Sequence, residues 1–295
     1  MNILVTGGSG FVGSNLTDRL LSFGHHVFIT NTAFQNENSR GCVLVVANDF
    51  RHINFNDLPV LDCLFHQAAI TNTMLEADVM DVNYHAAIEL FEKALAAKCK
   101  HIVYASSCAV YGNTKPPFRE DSPLQPLNVY AQSKFYLDAH VAKMNAPIVG
   151  LRYSNVYGYG EAHKKKSSSM VYQIIESLMA GVSPNLFEWG EQKRDFVYIN
   201  DVVEANLRAF REKAVGVYNI GSGQATSFNR LFEIIAKLLG TDLKPNFISN
   251  NISSVFQTWT ECDISKAKQF GYEPSWSIEK GIKSYVSEIC NNCHM

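Results

Sequence analysis

The sequence contains no apolar run near the roughly 18 residues needed to span a bilayer, so no transmembrane helix is expected. It also has almost no net charge: 26 lysines and arginines against 28 acidic residues leave −2. That balance removes any general electrostatic reason to expect a nucleic acid or a membrane surface as partner. Charged residues are only 18% of the chain and apolar ones 46%, so disorder is not the default. A leader is missing from the pattern as well. Asn2-Ile3-Leu4-Val5-Thr6 runs straight into a glycine turn, and the start of the chain is expected to be structure already, with no signal peptide. Seven cysteines at irregular spacing, an odd number in 295 residues, do not form a disulfide framework. They suggest free thiols in a reducing compartment, hence a cytoplasmic protein. Cys290-Asn291-Asn292-Cys293-His294 matches the spacing of haem attachment, or of a metal or redox pair. With no second ligand pair in reach it reads as a frayed tail, and no metal is expected. No internal repeat or low-complexity segment is visible; 164–169 comes nearest to biased composition.

What is present is an alternation. Short apolar runs at 3–5, 27–30, 43–47, 61–66, 102–105 and 148–152 are separated by helix-length segments such as 11–23, 74–97 and 128–144. Strands buried on both faces and alternating with helices imply an α/β fold with a doubly wound parallel sheet. The second half is less regular, with helices expected at 167–180, 201–210, 228–239 and 278–289 and short strands such as 217–220. The resulting organisation is a dinucleotide-binding Rossmann domain over 1–155, to which a segment near 194–213 returns. A smaller C-terminal α/β substrate-binding lobe over 156–295 would cover the C-terminal edge of the sheet, where open α/β sheets bind ligands.

Thr6-Gly7-Gly8-Ser9-Gly10-Phe11-Val12-Gly13 follows the first strand and opens a helix. In that context Gly7 permits a tight turn, Gly10 lets the backbone approach a pyrophosphate, and Gly13 allows close helix–strand packing. The helix N-terminus faces the anion. A plain structural turn is the competing reading, weakened by the position directly after the first strand. The second strand runs into Asn31, where a site for NAD usually carries an acid on the ribose 2′-hydroxyl. A neutral Asn31 would not repel a 2′-phosphate, and Arg40 could pair with one; a surface loop arginine is the alternative. NADP is thereby slightly favoured over NAD. Asp49 and Phe50, past the third strand, could hold the adenine edge or form an ordinary turn.

Tyr130 and Lys134, four residues apart, share one helix face. A free phenol with a pKa of about 10 is a poor base at neutral pH. An ammonium about 4 Å away contributes on the order of 4 kcal/mol at an effective dielectric near 20. That corresponds to roughly three pKa units, so the phenol is expected near neutrality, helped by the positive charge of an oxidised nicotinamide. Ser107 ends the strand beginning at Ile102 and could hydrogen-bond a substrate hydroxyl as it becomes a ketone, or simply close a turn.

With these motifs the chain resembles the extended short-chain dehydrogenase/reductase superfamily over nearly its whole length. The glycine pattern at 6–13, the serine-bearing strand end at 104–112 and Tyr130-x-x-x-Lys134 carry the resemblance. It implies a catalytic triad of Ser107, Tyr130 and Lys134, with Lys134 also on the nicotinamide ribose, and it matches Asn83 to a structural or active-site asparagine. It also implies a homo-oligomer using helices around 84–98 and 128–144.

Further stretches look like the ADP-L-glycero-D-manno-heptose 6-epimerases: Pro126-Leu127-Asn128-Val129-Tyr130, the run 148–158, Glu161-Ala162-His163-Lys164, 183–188 and Lys193-Arg194-Asp195-Phe196. This resemblance implies a nucleotide-sugar substrate whose diphosphate is held by Asn155 and Arg194, with Phe187 near the base. It implies Lys164 as a second acid/base, a bound and recycled nicotinamide, and net isomerisation. A solvated loop of Lys164-Lys165-Lys166 is the competing reading. Asn31, Lys165, Lys166 and the segment 69–72 depart from the pattern. The alternatives are a UDP-hexose 4-epimerase, which would not need Lys164, an NADPH-dependent nucleotide-sugar ketoreductase, and a cofactor-sensing protein without catalysis.

Overall fold

The structure is a computed structural model that describes residues 1–30, 43–71, 76–249 and 257–292. Strands β1 (Asn2–Thr6), β2 (His26–Thr30), β3 (Val43–Ala47), β4 (Cys63–His66), β5 (Ile102–Ser107) and β6 (Ile148–Tyr153) are joined by β10 (Gly216–Ile220). The seven form one sheet of order β10-β6-β5-β4-β1-β2-β3, and every pairing in it is parallel. The apolar runs form strands because both faces are covered. Ile3 and Val5 belong to one core cluster and Leu4, between them, to the other, as a period of two requires. Helices α1 (Phe11–Ser22) and α6 (Ile199–Arg211) pack together on the first face; α3 (Ala86–Ala96) and α4 (Val129–Val141) pack on the second.

The smaller elements are β7 (Asn155–Tyr157), β9 (Lys193–Tyr198) and β11 (Ala225–Ser227) in one sheet, and β8 (Asn185–Phe187) with β12 (Asn246–Ile248) in another. Helices α5 (Met170–Met179), α7 (Phe228–Leu239) and α8 (Ile278–Asn292) complete them. Their apolar residues share a core cluster with the first face of the main sheet, so the cover over the strand ends is packed and not loosely hinged.

Three sequence expectations change. The helix expected over 74–97 is α2 (Glu76–Met80), a π-helical turn over Asp81–His85 and then α3, while Met74 lies outside the described residues. The break has a cause. Buried Asn83 accepts from the Ile70 N–H and donates to the Ile70 carbonyl, each at 2.8 Å, and also donates to the Ser133 hydroxyl at 3.3 Å. Val217–Ile220, expected in the smaller lobe, pairs with β6 as the outermost strand of the main sheet, because the chain leaving α6 on that sheet's face meets its open edge. Cys290, expected in a frayed tail, is inside α8 and packs against the core; Cys293 and His294 lie outside the described residues. The described cysteines, Cys63, Cys99, Cys108, Cys262 and Cys290, are all free thiols. No helix among the described residues is long and apolar enough to cross a membrane.

Candidate active site

A cavity of about 1000 Å3 opens at the C-terminal ends of β1, β4, β5 and β6. Its floor on one side is the glycine turn: Gly7, Gly10, Phe11, Val12 and Gly13 all line it. Gly7 has φ +67°, and a Cβ there would fall 2.8 Å from the Ala68 nitrogen. A Cβ on Gly13 would fall 2.0 Å from the Gly7 carbonyl oxygen, so helix and turn meet at a distance only glycine permits. Gly10 occupies the N-cap of α1 with no side-chain cap, leaving the helix's first N–H groups facing the cavity. These residues fit the pyrophosphate of a dinucleotide. Asp49 and Phe50 line the same end. Asn31 and Arg40 lie outside the described residues.

On the opposite wall stand Ser107, Tyr130 and Lys134. Ser107 ends β5, and its hydroxyl oxygen accepts from the Ala109 N–H at 3.1 Å, which leaves its proton to donate. Asn128 caps α4 by accepting from the Ala131 N–H at 2.9 Å, fixing Tyr130 in the first turn and Lys134 one turn on. The expectation that Lys134 brings the Tyr130 phenol to neutrality fails. The ammonium is 6.0 Å from the Tyr130 ring centroid and donates to the Ala105 carbonyl at 2.7 Å. Burial pushes the Tyr130 phenol above its ordinary value, opposed by a hydrogen bond with Ser107. Burial also brings Lys134 down to about 8, with the Asp138 carboxylate working against it. Two buried groups of opposite type both move toward neutrality, because desolvation penalises whichever form is charged. A further positive charge in the cavity, such as an oxidised nicotinamide carries, would bring the phenol down.

Asn155, Lys164, Phe187 and Arg194 line the same cavity. Asn155 Oδ1 accepts from the Thr260 hydroxyl at 2.9 Å. Arg194 donates to the carbonyls of Lys193 and Gln257 and lies 5.6 Å from the Phe228 ring centroid. Among the described residues it has no carboxylate at ion-pair distance, and burial lowers it to about 10. The adjacent Asp195 is fully buried and turned away, accepting from Ser222, Gly223 and Cys262 N–H groups and from the Ser222 hydroxyl. A half-buried guanidinium with no counter-ion among the described residues is suited to an anion. Lys164 sits in a 3-10 turn over Ala162–Ser167, its ammonium 5.4 Å from the Phe11 ring centroid. Burial lowers its pKa, and Glu161 acts in the opposite direction.

Sequence reasoning missed several residues. Arg51 lines the dinucleotide end and grips Asp49, with Nη2 2.7 Å from Oδ2, holding that carboxyl below its ordinary range. Its signal was visible, a basic residue two past an aspartate that caps a turn. Gln67 and Tyr153 also line the cavity and are tied to Asn206 of α6. These three lie far apart in sequence and carry no spacing signal. Asn83 does not line the cavity; its role here is the structural one described above.

Comparison with known proteins agrees with this geometry. The profile of the NAD dependent epimerase/dehydratase family matches residues 3–221. The ADP-L-glycero-D-manno-heptose-6-epimerase of Helicobacter pylori superposes with a TM-score of 0.88 at 38% identity, covering 98% of this chain and 96% of that one. The UDP-glucose 4-epimerase of Thermotoga maritima, solved with UDP-glucose, gives 0.89 at 28% identity over 99% of this chain and 100% of the other. The UDP-glucuronic acid 4-epimerase of Bacillus cereus, solved with UDP-glucuronic acid and NAD, gives 0.85 at 25% identity over 99% and 100%. A glycine turn built for a dinucleotide, a Ser/Tyr/Lys wall facing it, and a family match spanning the whole main sheet lead to one conclusion: this chain belongs to the NAD-dependent epimerase/dehydratase family.

Proposed function

We propose that the protein is a nucleotide-sugar epimerase acting at C6 of an ADP-glycero-manno-heptose. The observation that carries this reading is that Lys164 and Tyr130, two proton-transfer groups from different parts of the fold, line one cavity. Inverting a carbinol through a ketone returns the hydride to the opposite face of the carbon, and a second proton-transfer group in the same cavity lets the oxygen be reprotonated in that orientation. The similarity to the Helicobacter pylori heptose epimerase supports the choice of sugar.

In this reading Arg194 and Asn155 hold the diphosphate, and Phe187 lies against the base. Ser107 hydrogen-bonds the C6 oxygen, and Tyr130 takes its proton. Lys134 binds the dinucleotide ribose and adds positive charge to the wall. NAD, when bound, supplies the reversible two-electron oxidation of the carbinol and is regenerated each cycle. Lys164, its burial lowering the cost of the neutral amine, exchanges the proton on the second face. NADP belongs to the proposal through Asn31 and Arg40, and titration with both dinucleotides tests it: equal affinity removes any role for Arg40. We also propose that the protein is a homo-oligomer, which sedimentation as a monomer at micromolar concentration would overturn.

Proton NMR of ADP-D-glycero-D-manno-heptose incubated with the protein and no added cofactor is the direct test. Conversion to the L-glycero epimer is expected. An unchanged spectrum from folded, cofactor-loaded protein sinks the reading and directs the search to UDP-hexoses. Epimerisation that survives Lys164→Ala but not Tyr130→Phe would make Lys164 an ordinary loop lysine.

A further inference from the structure

The reading above leaves the buried Glu161 without a role. Glu161 is 0% exposed, although Ala162 and His163, which follow it, are on the surface. Both of its carboxylate oxygens are committed. Oε1 accepts from the Gly158 N–H at 3.1 Å and the Ser169 hydroxyl at 2.9 Å, and Oε2 accepts from the Ser169 N–H at 2.6 Å. The Ser169 hydroxyl in turn accepts from the Tyr172 N–H at 3.2 Å, capping α5. One carboxylate therefore joins the residue after β7 to the start of α5. The segment between those points bears Lys164, whose N–H donates to the Glu161 carbonyl at 2.9 Å.

A buried carboxylate is retained only when hydrogen bonds replace its water, and removing them leaves its partners exposed to the same penalty. The arrangement thus fixes both ends of the loop at once. Two titratable groups face Glu161: Lys164 from the loop and Tyr285 from α8. No cation lies at ion-pair distance from it among the described residues, so it holds backbone and hydroxyl donors instead of neutralising the lysine. That frees the Lys164 ammonium to lie over the Phe11 ring and into the cavity.

We propose that Glu161 is a positioning residue for the second acid/base: its carboxylate clamps the loop from Gly158 to Ser169 so that Lys164 is presented to the cavity that holds Tyr130. The inference rests on the reading of Lys164 given above. A residue that merely capped α5 would stabilise the fold without acting through Lys164, and the two roles separate experimentally.

The test compares the full-length protein with Glu161→Gln, Ser169→Ala, Lys164→Ala and the double variant Glu161→Gln/Lys164→Ala. The first readout needs no turnover: limited acetylation with acetic anhydride, quantified by peptide mass spectrometry, with the exposed Lys237 as internal standard. The ratio of Lys164 to Lys237 acetylation is expected to rise at least fivefold in Glu161→Gln, and by a smaller factor in Ser169→Ala, which keeps the carboxylate and two of its donors. The second readout is the heptose epimerisation itself. For Glu161→Gln, kcat is expected to fall at least tenfold with KM within threefold, and the double variant to be no slower than Lys164→Ala alone. An unchanged acetylation ratio overturns the clamp. A double variant tenfold slower than Lys164→Ala overturns action through the lysine. If Lys164→Ala turns over like the parent, the acid/base reading of Lys164 fails, while the acetylation ratio still decides whether Glu161 holds the loop. Should Glu161→Gln not fold, Ser169→Ala reports the same ratio.

Discussion

Replacing Arg194 by leucine isolates the proposed anion site. The guanidinium is held at about 10 by burial instead of 12.5. At about 1.4 kcal/mol per pH unit, that is a cost of up to roughly 3 kcal/mol for keeping the charge in the empty cavity. None of its partners offsets it with a charge, for they are the carbonyls of Lys193 and Gln257 and the amide oxygen of Gln192. A diphosphate arriving there gains what the protein leaves unsatisfied. Truncating one member of such a buried charged pair costs about 2–5 kcal/mol. The lower end corresponds to roughly 30-fold in affinity. Calorimetric titration of cofactor-loaded protein with ADP and with UDP should therefore show at least that loss in Arg194→Leu. NAD, bound at the glycine turn, should keep its affinity within twofold. Because the group stays protonated below about 10, the parent's diphosphate affinity should owe no loss to Arg194 between about pH 6 and pH 9. A variant that binds both nucleotides within threefold of the parent refutes the argument, since it would show that this buried charge is balanced by something else.

Lys134→Met should abolish turnover yet raise the Tm at pH 7. The 1% exposed ammonium titrates at about 8 in the fold against 10.5 when free. The unfolded chain therefore binds more protons between those values. The burial penalty, roughly 3 kcal/mol, is complete below pH 8 and is relieved as the pH rises toward 10.5. Calorimetry should find the gain in Tm smaller at pH 10, and a gain independent of pH would contradict this. Gly13→Ala drives a Cβ to 2.0 Å from the Gly7 carbonyl oxygen, backbone that cannot swing aside. At about 1–3 kcal/mol of overpacking, NAD affinity should fall at least tenfold by titration, and parental affinity would show that the contact can relax. Arg152→Met strands Asp138, which pairs with Arg152 at 2.8 Å with both side chains about 5% exposed or less. Urea unfolding should show a loss of about 3–5 kcal/mol, and a loss below about 1 kcal/mol would mean that the Tyr104 hydroxyl on Asp138 suffices.

What could be read from sequence follows from how local its causes are. The strands of the main sheet were legible because burial on both faces leaves an uninterrupted apolar run. Helix α7 was legible to the residue because Ser227 caps it and Gly240, in the left-handed conformation, ends it. Tyr130 and Lys134 were legible as a pair because a spacing of four fixes a shared face. The same spacing says nothing about desolvation, and there the expected electrostatics failed: it gave neither the 6.0 Å separation nor the rise in the Tyr130 pKa. The π-helical turn escaped notice because its cause, the grip of Asn83 on Ile70, joins residues thirteen apart and leaves no local spacing signal. Glu161 escaped because an acid beside three lysines and three serines reads as a solvated loop, and its burial depends on Ser169 and Gly158 closing over it.

On the proposed reading, one wall of catalytic groups could serve different sugars. Ser107, Tyr130 and Lys134 come from a strand end and a capped helix on the main sheet, so their geometry is set by packing that also holds the fold together. On the proposed reading, such a wall would assist a bound NAD in oxidising any carbinol placed against it, whether at C4 or C6, and does not choose between them. On the same reading, choice falls on two features: where Arg194 would fix the diphosphate, and whether a second proton-transfer group reaches the cavity. Lys164 meets the second condition through a loop whose ends are closed by a single carboxylate. These bonds involve no strand of the main sheet, and the loop is also tied to α1, where the Asn15 side-chain amide donates to the Tyr159 carbonyl at 2.9 Å. On the proposed reading, the segment from Gly158 to Ser169 is therefore where a 6-epimerase and a 4-epimerase built on this fold must differ.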